Sequence, residues 1–385
     1  MTFTLLTSAK FFMFQLARSL NHSGNLQKIL TGYPRNRVME EGIDKAKISS
    51  HSLYQISGYL IGKLPLDLKN IDSKIADLNV VHLDRYAAQE IGDSHLISMS
   101  SLAAKTGKLV NARGNRFILN RSSQHILSQT ALLKHEFLKW KWEGEGDLPT
   151  KLVIGRELVE YESAFRIVVP SQLTKKSFLE RGFSDEKIVV NQIPVQEAIP
   201  EQELNNFPNA SHKTGILFVG QVTLRKGFPT LVKAFNSVAD PSIKLHVAGP
   251  YSAKFLKHLT SMGLNLEKIR FYGPLNSREL AKLYTRCEMF VLPSIEDGWG
   301  LVVNEALRYG CIPIVSESAG ASEIIENGVN GYTFSAGNDR ELLNCINRIA
   351  DSKGNPFKTS SELTKKPSDG LNWDQFATTY LNLVK

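Results

Sequence analysis

The stretch MFVLPSIEDGWGLVVNEALRYGCIPIVSE, residues 289–317, decides the fold. Met289–Leu292 is an unbroken apolar run of strand length, closed by Pro293 and Ser294. Gly298 and Gly300 then free the backbone, and the segment from Leu301 to Gly310 reads as a helix. A second apolar run, IPIVSE, follows at once. Strand, turn, helix and strand with such short joins make a βαβ unit, which needs a parallel sheet with helices layered on it. Ligands of open parallel sheets sit beyond the carboxyl ends of the strands. The turn holding Asp297, and Glu305 one to two turns into the helix, could therefore face one crevice, with Glu296 beside them; taken singly, Asp297 also reads as a cap or turn residue and Glu305 as an exposed helix acid.

The same rhythm runs outward in both directions. Toward the N-terminus of this stretch come GILFVGQ, FPTLVKAFNSV, IKLHVAG, SAKFLKHLTSMG, KIRFYGP and SRELAKLYTRC, alternating strand and helix. In the first half, TFTLLTS and LQKILTGYP read as strands around the helix MFQLARSLNHSG. NVVHL (79–83), SHLISM, GKLVNA (107–112), RFILN and FRIVVPS read as further strands, with a long helix from Ser123 to Gly144 between the last two. That helix ends in Trp140 and Trp142 among lysines, a tip suited either to a membrane surface or to packing on the core. The polar, proline-bearing stretch 191–213 reads as an interdomain connection, and 351–372 as a polar loop before a final helix, NWDQFATTYLNLV. The expected division is an N-terminal Rossmann-like domain at 1–195, a linker at 196–213, a C-terminal Rossmann-like domain at 214–368, and a last helix within 369–385 returning to the first domain.

The 385 residues, 42% hydrophobic and 22% charged, fit a globular protein too long for a single core. Three scattered cysteines, Cys287, Cys311 and Cys345, make neither a disulfide framework nor a CxxC metal site. No signal-peptide pattern opens the chain and no apolar stretch reaches the ~18–20 residues of a membrane span, so a cytoplasmic protein is expected. The net charge of +8 lies mainly in the first half, which could face an anionic membrane or phosphorylated substrates. Zinc-finger, RNP-type and basic-zipper patterns are missing, and no nucleic-acid partner is expected.

Three successive strand ends offer ligand chemistry. After GILFVG, which ends at Gly220, the turn carries Arg225, Lys226 and Gly227 before a helix with Pro229 in its first turn. Two cations before a helix N-terminus suit phosphate, although the spacing is neither a Walker A loop nor a GxGxxG fingerprint. Next comes the Asp297–Gly300 turn, and then Gly320 and Glu323 after IPIVSE. Cations, carboxylates and glycine N–H groups together suit a phosphorylated, hydroxyl-rich ligand, and a nucleotide sugar fits better than a dinucleotide.

At these residues the chain resembles the retaining glycosyltransferases of family 4, whose fold is GT-B, two Rossmann-like domains facing across a cleft. PSIEDGWGLVVNEALRYGCIPIVSESAGASEIIENGVNGYTF resembles the family's acid-x7-acid signature, and FVGQVTLRKG its phosphate-binding turn. VVPSQLTKKSFLERGFSDEKIVVNQIPV, HVAGP, RFYGPLNSRELAKLY and RSSQHILSQTALLKHEF are similar to further family segments. The resemblance implies a donor site made of Gly220, Arg225, Lys226, Glu296, Asp297, Gly298, Trp299, Gly300, Leu301 and Glu305. Glu305 would read the ribose and Asp297 the transferred sugar, beside the N–H groups of Trp299, Gly300 and Leu301. Lys226, with Arg225, would bind the diphosphate as it leaves. No metal and no cofactor are implied, and the chain has no DxD sequence.

Several positions depart from the pattern. Asp297 is one methylene shorter than the usual Glu, with Glu296 placed to compensate. Gln221 stands where the family has Arg, with Arg225 as the substitute cation. Ser98 takes the place of an acceptor-side His, for which His125 is the candidate replacement in a catalytic role. The expected activity is metal-independent hexosyl transfer from a nucleotide sugar to a glycan or lipid-linked acceptor, in cell-surface polysaccharide or glycoconjugate biosynthesis. A noncatalytic glycosyltransferase-like binding protein and a nucleotide-sugar epimerase are the alternatives.

Overall fold

The computed structural model describes residues 1–8, 10–51, 69–143, 148–195, 215–351 and 372–385. The linker expected at 196–213 lies outside the described residues, as does the polar loop expected at 351–372 apart from its two ends.

The first half contains β1 (Phe3–Thr7), α1 (Met13–His22), β2 (Leu26–Thr31), α2 (Arg35–Met39), β3 (Ile48–Ser50), α3 (Lys69–Glu90), β4 (His95–Met99), α4 (Thr106–Ala112), β5 (Phe117–Asn120), α5 (Ile126–Lys139), α6 (Lys151–Ser163), β6 (Arg166–Val169), α7 (Gln172–Leu179) and β7 (Ile188–Val190). Its strands form one parallel sheet in the order β3-β2-β1-β4-β5-β6-β7. The second half contains β8 (Ile216–Val219), α8 (Phe228–Asn236), β9 (Leu245–Ala248), α9 (Ala253–Ser261), β10 (Ile269–Gly273), α10 (Ser277–Arg286), β11 (Met289–Leu292), α11 (Leu301–Arg308), β12 (Ile312–Ser316), β13 (Tyr332–Phe334) and α12 (Asp339–Asp351). Its sheet, also parallel, runs β10-β9-β8-β11-β12-β13.

Helices cover both faces of each sheet, so consecutive strand residues are apolar and buried: Leu5, Leu6, Ile97 and Ile118 in the first, Leu217, Phe218, Phe290 and Val291 in the second. Strand order reverses direction between β1 and β4, and again between β8 and β11. In open parallel sheets such reversals are where ligand crevices form, beyond the carboxyl ends of the strands.

Two expected strands are helices. NVVHL lies inside α3, where Leu83, Ala87 and Ile91 recur at helical spacing on a buried face, and this packing overrides the β-branched run. GKLVNA lies in α4. The Asp84 carboxylate, reaching over from α3, accepts from the N–H groups of Lys105 and Thr106 and from Thr106 Oγ1, satisfying donors at the start of that helix. A Cβ on Gly107 would lie 2.5 Å from the Phe117 ring, so α4 sits closer to the sheet than any other residue there would allow.

The Trp140 and Trp142 tip packs on protein. Trp140 joins the core of the second sheet, and Trp142 stacks edge-on against Phe255 at 5.1 Å. His258 Nε2 lies 2.8 Å from the Trp140 carbonyl. Thus α5 begins on the first sheet and ends rooted in the second. The last helix, α13 (Trp373–Asn382), lies on the first sheet beside α1: Phe376 meets Phe12 edge-on, and Tyr380 Oη donates to Asn120 Oδ1 at 2.5 Å.

Candidate functional site

The crevice between β8 and β11 is built by two turns pressed together. Gly227, at φ +64°, precedes α8. A Cβ there would fall 1.8 Å from the Pro293 carbonyl oxygen, so only glycine fits both the conformation and the approach. The Ile295 N–H donates to the Arg225 carbonyl at 2.9 Å, joining the turns a second time. Gly220, at the end of β8, has its carbonyl 2.1 Å from where a Cβ on Gly249 would stand, so the neighbouring strand ends also close in. This convergence sets Arg225 and Lys226 opposite Glu296 and Asp297.

Lys226 Nζ lies 2.5 Å from Asp297 Oδ2, with part of each side chain open to solvent. Burial alone would raise the Asp297 carboxyl, but the charges of Lys226 and Arg225, a hydrogen bond from Lys226 and the Trp299 N–H outweigh it and hold it below the usual range. Asp297 is therefore ionised and pre-paired with the cation. Gly300, at φ +97°, opens α11, which carries Glu305 half-buried. Burial pushes the Glu305 carboxyl up, opposed by the hydrogen bond from Tyr284 Oη (3.1 Å) and by Arg308.

Other expected site residues have different surroundings. Glu296 has no accessible surface, and its oxygens take the Gln124 N–H (2.9 Å), Gln129 Nε2 (3.0 Å) and Arg225 Nε (3.0 Å). It points to the first domain and cannot make up for the shorter Asp297. A Cβ on Gly298 would stand 2.0 Å from the Ser122 carbonyl oxygen, so this glycine admits the first domain's backbone rather than a ligand. The Trp299 side chain is core, its Nε1 donating to Asn304 Oδ1 at 3.0 Å, while Leu301 packs between the cores of both domains. Gln221 is exposed, and the buried Ser98 hydroxyl donates to the Met99 carbonyl.

His125 departs furthest from its expected role. It caps α5, its Nδ1 accepting the Leu127 N–H at 3.2 Å, and its ring is enclosed by Tyr161, Phe178 and Phe183. Burial, with Arg181 and Arg121 nearby, pulls its pKa down to about 4, so it is neutral at pH 7, and it is almost wholly enclosed.

The partners of several residues carried no signal in the sequence, those of Glu323 included although that residue itself stands out there. Tyr284 orients Glu305 from the preceding helix. Ser171 Oγ donates to the Gly298 carbonyl at 2.8 Å, and Glu323 accepts the Leu173 N–H at 2.7 Å near the start of α7. Each is an ordinary polar residue whose partner is distant in the chain. Among the described residues no group of three or more His, Cys, Asp or Glu side chains is arranged to hold a metal.

Residues 201–366 match the family model described as "Glycosyl transferases group 1". An uncharacterized glycosyltransferase of Methanocaldococcus jannaschii is 30% identical over 173 residues, 44% of each chain. A glycogen synthase of Clostridium beijerinckii is 24% identical over 218 residues, 54% of this chain and 44% of its own. The chain thus spans less than half the length of these relatives. Among solved structures, sucrose-phosphate synthase from Thermosynechococcus elongatus superposes with a TM-score of 0.70 at 17% identity, covering 99% of this chain and 98% of its own. Anabaena HepE, in complex with UDP and glucose, gives 0.66 at 14% identity, covering 99% and 98%. Two parallel Rossmann-like sheets in this arrangement are the GT-B fold.

Proposed function

We propose that this chain is a glycosyltransferase that moves a hexosyl group from a nucleoside diphosphate sugar to a hydroxyl of a glycan or lipid-linked acceptor, with retention at the anomeric carbon and without a metal. The observation that carries the reading is the Lys226–Asp297 pair at the β8–β11 crevice, inside the segment matched to group 1 glycosyl transferases. A diphosphate drawn to Lys226 and Arg225 would take over those cations and release Asp297 to accept from a sugar hydroxyl. Negative charge grows on the phosphate oxygen as its bond to the anomeric carbon breaks, and Lys226 is placed to stabilise it. Glu305, steadied by Tyr284, accepts from the ribose hydroxyls.

No described helix is long and apolar enough to cross a membrane. A cytoplasmic enzyme of polysaccharide or glycoconjugate synthesis, its basic first domain meeting an anionic membrane where the acceptor is lipid-linked, is in keeping with that. The test is thermal melting with UDP-, GDP- and ADP-sugars. A ligand at 100 times its Kd adds about 2.7 kcal/mol to the native state, so the true donor raises Tm with concentration. Melting unmoved by all three would sink the donor site.

A further inference from the structure

Glu296 follows the sequence of the donor turn but contacts the other domain. Of its three donors, the Gln124 N–H and Gln129 Nε2 belong to the β5–α5 turn and α5, and the third is Arg225 Nε. The far end of the same guanidinium, Nη2, donates to Ser123 Oγ at 3.0 Å. The second domain's arginine is therefore oriented at one end by a carboxylate that grips the first domain, and at the other by the first domain itself. Gln129 has no choice of orientation: Arg121 Nη2 holds its Oε1 at 2.6 Å, leaving Nε2 to face Glu296, and Arg121 is anchored by Glu157 at 3.2 Å. Glu296, Ser123, Gln129, Arg121 and Glu157 are all buried, and Arg225 alone in this network is part-exposed.

We propose that Glu296 is a positioning residue that grips the β5–α5 turn across the cleft and thereby orients Arg225, so that phosphate binding in the second domain is set by closure onto the first. Opening the cleft would strip two of the three donors from a buried carboxylate and remove Ser123 from Arg225 together. The proposal rests on the donor reading above for the role of Arg225, while the grip itself is independent of any ligand.

Gln129→Glu tests it. The new side chain keeps its size and its acceptor for Arg121 but sets carboxylate against carboxylate across the boundary. Wild type, Gln129→Glu and the double variant Gln129→Glu/Glu296→Gln are compared by small-angle scattering without ligand, by calorimetric titration with UDP, GDP and ADP, and by melting as a check of folding. The expected single variant is folded, has a larger radius of gyration, and holds the nucleotide that wild type binds at least ~5-fold more weakly, since Arg225 loses its orientation. In the double variant an amide again faces a carboxylate, so the radius returns to that of wild type. Its affinity stays reduced, because Arg225 Nε now meets a neutral amide. A folded single variant with the wild-type radius and affinity overturns the proposal, as does a double variant with wild-type affinity. If wild type binds none of the three nucleotides, the donor reading falls and the scattering decides alone: an unchanged radius in Gln129→Glu refutes the grip. If Gln129→Glu does not fold, Ser123→Ala replaces it in the titration, where about 2-fold weaker binding supports the proposal and unchanged binding overturns it.

Discussion

At the carboxyl edge of the second sheet, Lys226 and Asp297 meet with 24% and 11% of their side chains exposed. Behind the same edge of the first sheet, the Arg121–Glu157 pair is 8% and 2% exposed, and Arg156–Asp84 14% and 2%. Both edges carry cations against carboxylates, yet the partners differ in kind. In the first domain the carboxyl groups serve the backbone. Glu160 accepts the N–H groups of Ser101 (2.7 Å) and Ala103 (2.6 Å), and Glu157 takes the Ser101 hydroxyl at 2.8 Å. Together they hold Ser101 at φ +75°, a left-handed conformation uncommon for any residue but glycine. In the second domain the pair is part-exposed, and on the proposed reading a ligand exchanges with it. A charged pair at a strand end is thus part of the frame or part of the binding surface according to whether its remaining hydrogen bonds end on the chain or at the cleft.

The contrast is sharpest in substitutions that remove one cation from each edge. Arg121→Met leaves Glu157 buried without its charge partner, and unfolding in urea is expected to show a loss of about 3–5 kcal/mol. Lys226→Ala should do the reverse. Sugar transfer falls by about 10²–10³-fold, while the urea midpoint moves far less than for Arg121→Met, because Arg225 still acts on Asp297. Equal losses of stability in the two variants would erase the distinction. A smaller effect tests the frame by pH. His125 is neutral in the fold with a pKa of about 4, whereas an unfolded histidine titrates near 6.5. Below pH 6.5 the unfolded chain therefore binds the proton first, and stability falls as pH drops toward 4. Between pH 7 and 5 this amounts to about 1–2 kcal/mol, and His125→Asn, which keeps an acceptor for the Leu127 N–H, should flatten that part of the profile. An unchanged profile in that variant would mean that His125 is accessible to solvent in the fold.

Local spacing made the second half legible because each turn there directly follows the strand that places it: Lys226 after β8, Asp297 after β11 and Glu305 in α11 needed no partner outside 216–308 to be located. The first half yielded less. Val80 and Val81 resemble a strand by composition, and only the buried face of Leu83, Ala87 and Ile91 against the sheet makes the segment a helix. The strands β3 and β7 are three residues long and lie at the sheet edges, too short to stand out as apolar runs. By sequence Glu296 and Gly298 read as parts of the proposed donor turn because their neighbours do. Their contacts lie elsewhere, Glu296 with Gln124, 172 residues away, and Gly298 with Ser122. No pattern of residue types inside the turn distinguishes a carboxylate aimed at a ligand from one aimed at the other domain.

The rooting of α5 also bears on how this architecture can be recombined. A chimera cut at the connection between the domains would carry the whole of α5 with its N-terminal half, including Trp140 and Trp142, and seat them on a foreign second domain. Their contacts are specific, the Phe255 ring and the His258 imidazole among them. The unit that exchanges intact is therefore not a stretch of sequence but a stretch plus its socket: a grafted first half needs a recipient α9 with an aromatic ring and a hydrogen-bonding side chain three positions apart, as Phe255 and His258 are here. Under the proposed function, acceptor range and donor range would be inherited separately only between chains that share this joint.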